Sequence, residues 1–174
     1  RGVRHPQARV QDGPEDARLT SVRRIAIAIA TGLGVGFAPV APATVASFLV
    51  ALLLLPAVGH VSTLAWGLGT LALFPIAVWS SHQAEKTLGT DAKPIVIDEV
   101  MGMLVGGFAV PMGSRPIVAL ALLFVFFRVF DIWKPLGIHR SQSLPGGWGV
   151  VVDDVLAGVL TNVALRVAVG WVSP

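Results

Sequence analysis

From Ile25 to Val172 the chain is a succession of apolar runs, each closed by glycine, proline or charge. They are Ile25–Phe37, Thr44–Val58, Val61–Ser80, Ile95–Val110, Ile117–Phe130 and Val150–Val172. None sustains a period of two, and no Asn-Gly turn separates them, so strands are excluded and helices remain. The fold class is all-α, a compact bundle of about six helices. Only Val61–Ser80 and Val150–Val172 approach the roughly 20 residues that cross a bilayer core. The bundle is therefore expected to be membrane-embedded, with some helices short or re-entrant. Pro75 predicts a kink in its run.

Composition agrees. The 174 residues are 54% hydrophobic and 13% charged, against about 25% charged in a typical soluble domain. Residues 1–20 have no apolar period, and Arg1, Arg4, Arg9 and Arg18 lie there, with Arg23 and Arg24 just beyond. They predict a disordered basic tail beside anionic headgroups, followed by one membrane domain over 21–174. No basic and aromatic surface follows the tail, which argues against nucleic acid as a partner. Arg23-Arg24 and Ile25–Ala30 have the outline of a signal peptide, but the apolar core is short and Gly32, Gly34 and Gly36 interrupt it. There is no cysteine and no tyrosine. Disulfides, thiolate nucleophiles and Cys-ligated zinc are excluded.

Against this apolar background the acids stand out. The chain has ten, and Asp98, Glu99, Asp131, Asp153 and Asp154 lie beside or inside apolar runs. A buried carboxylate costs several kcal/mol unless it neutralises, pairs or binds a cation. With Arg23 and Arg24 on the cytoplasmic side, Thr44–Val58 and Val61–Ser80 form one hairpin and Ile95–Val110 and Ile117–Phe130 a second. Lys86, Lys93, Lys134 and Arg140 then fall on the starting side, as the positive-inside rule requires, with Arg115 opposite. All five acids fall on that same cytoplasmic face.

Helical spacing sets Asp98 over Gly102, Asp153 over Ala157 and Asp154 over Gly158. Small residues there let helices approach until carboxylates from both meet around one ion. Oxygen-only ligands suit magnesium, or manganese. Two solvated acidic helix starts are the plainer alternative. Arg128, Asp131 and Lys134 recur every three residues and form one polar stripe, either a salt-bridge ladder or a metal ligand flanked by two phosphate-binding cations. Five carboxylates against two cations leave three negative charges; one divalent ion leaves one. A phosphate is repelled by the bare cluster and accepted once a metal is bound.

Other segments are weaker. Thr44 and Ser47 open a helix, where they can donate to phosphate or simply cap. Pro145–Gly149 is a glycine-rich turn, either a hinge or an amide nest. His82, at the polar end of a helix, is a candidate general acid or base, or an ordinary interfacial histidine. His60 and His139 have no acidic neighbour in sequence and receive no role.

Together, Pro42–Ser47, Ile97–Gly102, Phe127–Pro135 and Gly146–Gly158 resemble the phosphatidylglycerophosphatase A family in order and spacing. The resemblance implies a magnesium-dependent phosphatase in the bacterial cytoplasmic (inner) membrane. It would cleave the terminal phosphomonoester of the phospholipid phosphatidylglycerophosphate at the cytoplasmic face. Asp98, Glu99, Asp131, Asp153 and Asp154 would be the catalytic and metal-binding acids. Arg128, Lys134, Thr44 and Ser47 would hold phosphate. Where the family has Gly-Thr-x-Gly-Ser, this chain has Ala43-Thr44-Val45-Ala46-Ser47. A positive φ at either alanine would be strained, whereas a plain helix would favour it. The competing readings are a phosphatase of another lipid phosphate and a small cation transporter with an acid-lined path. A homo-oligomer is left open.

Overall fold

The computed structural model describes residues 14–112 and 115–172. The described residues form six α-helices: α1 (Pro14–Ala30), α2 (Pro42–Leu54), α3 (Thr63–Leu88), α4 (Ile97–Gly107), α5 (Pro116–Trp133) and α6 (Gly147–Val172). Two 3-10 segments, Val35–Phe37 and Pro135–Ser143, lie between them. No strand occurs among the described residues, so the all-α expectation holds.

Three boundaries move. The helix α1 starts at Pro14, so residues 14–20 are helical and not part of a disordered tail. Proline followed by Glu15 and Asp16 is a favourable opening for a helix. The rest of the expected tail, 1–13, lies outside the described residues. At its other end α1 stops at Ala30, not Phe37, because Gly32, Leu33 and Gly34 turn left-handed. The helix α3 also runs past Ser80, as far as Leu88. It is opened by the Ala65 amide donating to the Ser62 hydroxyl and closed by Gly89 at φ 102°. Pro75 lies within it.

The centre of the bundle is α4, an 11-residue helix in contact with α2, α3, α5 and α6. This alters the expected pairing. The hairpin of α4 and α5 forms, but α2 and α3 do not pack as a pair. Because α4 stands between them, α2 lies on α5 and α3 on α1 and α6. One core, with Val50, Met103, Leu123, Phe127 and Leu165, fills the α2–α5 side. A second, with Ala30, Ala77, Ile97, Met101 and Val151, fills the α1–α3 side.

The outer helices explain the apolar composition. Both α3 and α5 are long and apolar enough to cross a membrane, and only 17% and 22% of their apolar windows are buried. Leu64, Leu71, Ile117 and Ile132 are each about 70% exposed. An apolar surface of this extent fits hydrocarbon and not water.

Candidate active site

The site is built where α4 crosses α6. A β-carbon on Gly102 would overlap the Phe127 ring and lie 2.8 Å from the Asp154 carbonyl oxygen; one on Gly158 would overlap the Gly102 carbonyl. The two backbones therefore touch. Asp98 precedes Gly102 by one turn, and Asp154 precedes Gly158 by one turn, so the contact draws two acidic pairs together. Asp98 feels the charges of Glu99 and Asp153, and Asp154 those of Glu99, Asp98 and Asp131.

The third contributor is the end of α5. Arg128 Nη1 lies 2.7 Å from Glu99 Oε2, 2.8 Å from Glu99 Oε1 and 3.1 Å from Asp131 Oδ2. Lys134, which closes α5 in a left-handed conformation (φ 45°), bonds to Asp153 and lies 3.8 Å from Asp131 Oδ1. The stripe expected at 128, 131 and 134 is thus real. It is more than a ladder within α5, since each cation also bridges to another helix. All five acids and both cations belong to one network, with Glu99, Asp131, Asp153 and Asp154 buried and Asp98 half-buried.

At 11 residues α4 is too short to cross a bilayer core, so its acids lie outside the spanning segments. Burial, followed by the Glu99 charge, holds the Asp98 carboxyl well above its ordinary range. Burial pushes Glu99 up to about 7, opposed by the Arg128 charge and the Ser47 hydrogen bond and aided by Asp131. For Lys134, burial favours the neutral amine, but the Asp153 hydrogen bond and the carboxylates of Asp153, Asp131 and Asp154 outweigh it and raise the ammonium.

Ser47 belongs to the network. It is fully buried, its hydroxyl 2.7 Å from Glu99 Oε2 and 2.8 Å from the Ala43 carbonyl, with Arg128 Nη1 at 3.5 Å. Its contacts orient Glu99. Thr44 is half-buried in the first turn of α2. Ala43 and Ala46 are ordinary helical residues without positive φ, so alanine suits both positions. His82 lies elsewhere. It packs against Gly146 and Gly147, and no hydrogen bond or ion pair among the described residues ties it to the acids. A β-carbon on Gly147 would strike the Val78 carbonyl and the His82 amide. The glycine turn thus docks the start of α6 on α3.

Three polar residues complete the frame, and the sequence reading passed over them. Asn162 Nδ2 donates to the Phe108 carbonyl at 2.7 Å and the Gly106 carbonyl at 3.0 Å, and Arg166 Nη2 to Phe108 at 3.1 Å. Trp66 Nε1 donates to Leu104 at 2.9 Å. They satisfy the carbonyls at the end of α4, which would otherwise be orphaned in an apolar setting. The signal was available: Asn162 and Arg166 are polar, one turn apart, in the largely apolar stretch of α6 beyond Asp154.

For a divalent cation, the donors have the right chemistry, all oxygen and in excess of the cations. Asp153 Oδ1 and Asp154 Oδ2 are buried with no hydrogen-bond partner. As the side chains stand, however, no three acidic or histidine residues among those described are arranged to hold a metal. Arg128 and Lys134 reach into the cluster and engage the acids.

The family model for phosphatidylglycerophosphatase A matches residues 28–169, a stretch that contains every site residue named above. A Bacteroides thetaiotaomicron protein named "Putative phosphatidylinositol-3-phosphatase" is 37% identical over 84% of this chain and 94% of its own length. The phosphatidylglycerophosphatase A of Escherichia coli K12 is 35% identical over 76% of this chain and 77% of that protein. The Haemophilus influenzae phosphatidylglycerophosphatase A is 29% identical over 82% and 88%. No solved structure matches. With a match of that extent running through all three contributing helices, the chain belongs to the phosphatidylglycerophosphatase A family.

Proposed function

We propose that this protein is a magnesium-dependent phosphatase of the bacterial cytoplasmic membrane. It hydrolyses the terminal phosphomonoester of phosphatidylglycerophosphate, releasing phosphatidylglycerol and phosphate. The observation that carries the proposal is the convergence of Asp98-Glu99, Arg128/Asp131/Lys134 and Asp153-Asp154 from three helices into one buried network. Asp98, Glu99, Asp131, Asp153 and Asp154 would hold Mg2+, or Mn2+, whose Lewis acidity polarises the phosphoryl group and offsets its charge. Arg128 and Lys134 bind the phosphate oxygens with charge-assisted hydrogen bonds. Arg128 is suited to this, since its contacts run through Nη1 and its buried Nε has no partner. Thr44 lies at the start of α2, where a headgroup oxygen meets the helix N-terminus. Ser47 fixes Glu99.

The cytoplasmic placement is supported by charge. The end of the bundle that carries the acids also carries Lys86, Lys93, Lys134 and Arg140. The test is phosphate release from phosphatidylglycerophosphate by the purified protein in detergent, with and without magnesium. No release in either condition from any lipid phosphomonoester would sink the proposal.

A second substrate reading has its own support. The 37% identical relative carries the name of a phosphoinositide phosphatase, so another lipid phosphomonoester is the alternative. Both share the network and differ in headgroup. Parallel assays on the two lipids separate them.

A further inference from the structure

We infer that a groove between α3, α4 and α6 seats one acyl chain of the lipid whose phosphate is cleaved. It has a volume of about 400 Å³, within the roughly 300–1,000 Å³ of small-molecule sites. Leu71 and Phe74 of α3, Met101 and Val105 of α4, and Val155 and Val159 of α6 line it. This deepens the lipid-phosphatase proposal and rests on it.

Three observations set the occupant. The first is continuity. Asp98, Met101 and Val105 are spaced i, i+3 and i+7 and so share one face of α4. Met101 and Val105 line the groove, and the carboxylate of Asp98 stands at the head of the same stripe. A phosphate held by the acid and cation network thus has an apolar track leading away from it.

The second is polarity. The groove has two polar liners, Thr70 and Asn162. Thr70 Oγ1 donates to the Trp66 carbonyl at 2.9 Å, and Asn162 Nδ2 donates to the carbonyls at the end of α4. Their donors are already committed, so a polar ligand gains nothing there and hydrocarbon loses nothing.

The third is shape. From Val155 to Val163 the groove follows nine residues of α6, about 12 Å of helix, which suits an extended chain rather than a ring. Its outer wall is exposed, with Leu71 at 70%, Val159 at 46% and Val163 at 59%. On a membrane-embedded bundle that side opens to lipid, so a chain enters sideways without leaving hydrocarbon.

The test fills the groove from its outer wall. Val159→Trp and Leu71→Trp are made separately, because both positions are exposed enough to accept a large ring. Each is assayed on dihexanoyl and dioleoyl phosphatidylglycerophosphate in detergent. The expected result is an unchanged rate on the short-chain lipid and a KM for the long-chain lipid raised about tenfold, roughly the loss of two buried methylenes. An unchanged long-chain KM in both variants, with wild-type short-chain activity, overturns the groove and leaves the phosphatase standing. No release from either lipid by the wild type overturns both. The wild type also supplies a check that no variant can confound: a substrate with a photoreactive acyl chain should label Met101, Val105, Val155 or Val159. Labelling confined to the outer flank of α5 overturns the groove, since that pattern marks bulk lipid.

Discussion

Gly158 of α6 rests on the backbone carbonyl of Gly102 of α4. No side chain intervenes, and the acids one turn above each glycine are brought together as a result. The sequence suggested this directly, because small residues stood one turn from the acids in two separate apolar runs. Gly158→Leu should therefore damage both stability and chemistry. The added side chain overpacks a backbone contact, with an expected loss of about 1–3 kcal/mol. Thermal unfolding in detergent and phosphate release should fall together. A variant with wild-type values for both would mean the helices part there without consequence.

Asp98→Asn and Asp153→Asn keep the shape of each side chain and remove its charge. Each should reduce phosphate release more than about 100-fold, since even outer partners of a metal ligand are worth about 10–100-fold. For Asp98→Asn the unfolding midpoint should hold or rise, because a buried like charge is removed; for Asp153→Asn it should fall, because Lys134 loses its ion-pair partner. Full activity in either variant would withdraw that residue from the ligand set.

Arg128 bridges Glu99 and Asp131 beside Ser47. Removing it leaves Glu99 buried without its counter-ion. Arg128→Ala should destabilise the protein by about 3–5 kcal/mol, the range for breaking a buried pair. Arg128→Lys should restore much of the stability but little of the activity, because a single ammonium lacks the planar fork. Equal recovery of both would make the guanidinium a plain counter-charge.

Stability should also depend on pH in a direction set by Glu99. Its folded value is raised from 4.5 to about 7, chiefly by burial, with Arg128 and Ser47 opposing and Asp131 adding. The folded state therefore binds this proton more tightly than the unfolded chain does. The contribution is fully present below pH 4.5 and is lost as pH rises through about 7. In chelator, the unfolding midpoint should fall across that window. Added magnesium should offset the fall, since it binds the ionised site of the folded protein alone. A midpoint that climbs with pH in chelator would contradict the assignment.

How far the sequence could be read varied with the kind of interaction. The six helices follow from apolar periodicity, and the cation stripe from spacing along one helix; both are local. The neighbours of α4 are not local. Nothing in Thr44–Ser80 announces that α2 and α3 stand apart, because the cause is a third helix between them. Near a helix start, Ser47 reads in sequence as a donor to phosphate, and only tertiary packing shows its hydroxyl turned to Glu99. The position of His82 failed to declare itself for the same reason: a histidine at a helix end looks alike whether it faces a site or a glycine turn.

Asn162→Leu should free the carbonyl of Gly106 and leave that of Phe108 to Arg166 alone. Orphaned acceptors cost about 1–3 kcal/mol each, so the unfolding midpoint should drop although the substitution is distant from the acids. An unaltered midpoint would show that Arg166 and Trp66 hold α4 without it.

A helix hemmed in on four sides has little room to adapt. Because α4 is central, any change that tailored its acids to a new headgroup would disturb the whole assembly. The rim is different. After Lys134, Leu136 and Gly137 also bend left-handed, and the segment to Ser143 packs on α6 without joining either core. Substitutions in this segment can therefore accumulate without disturbing the packing that holds the acids together.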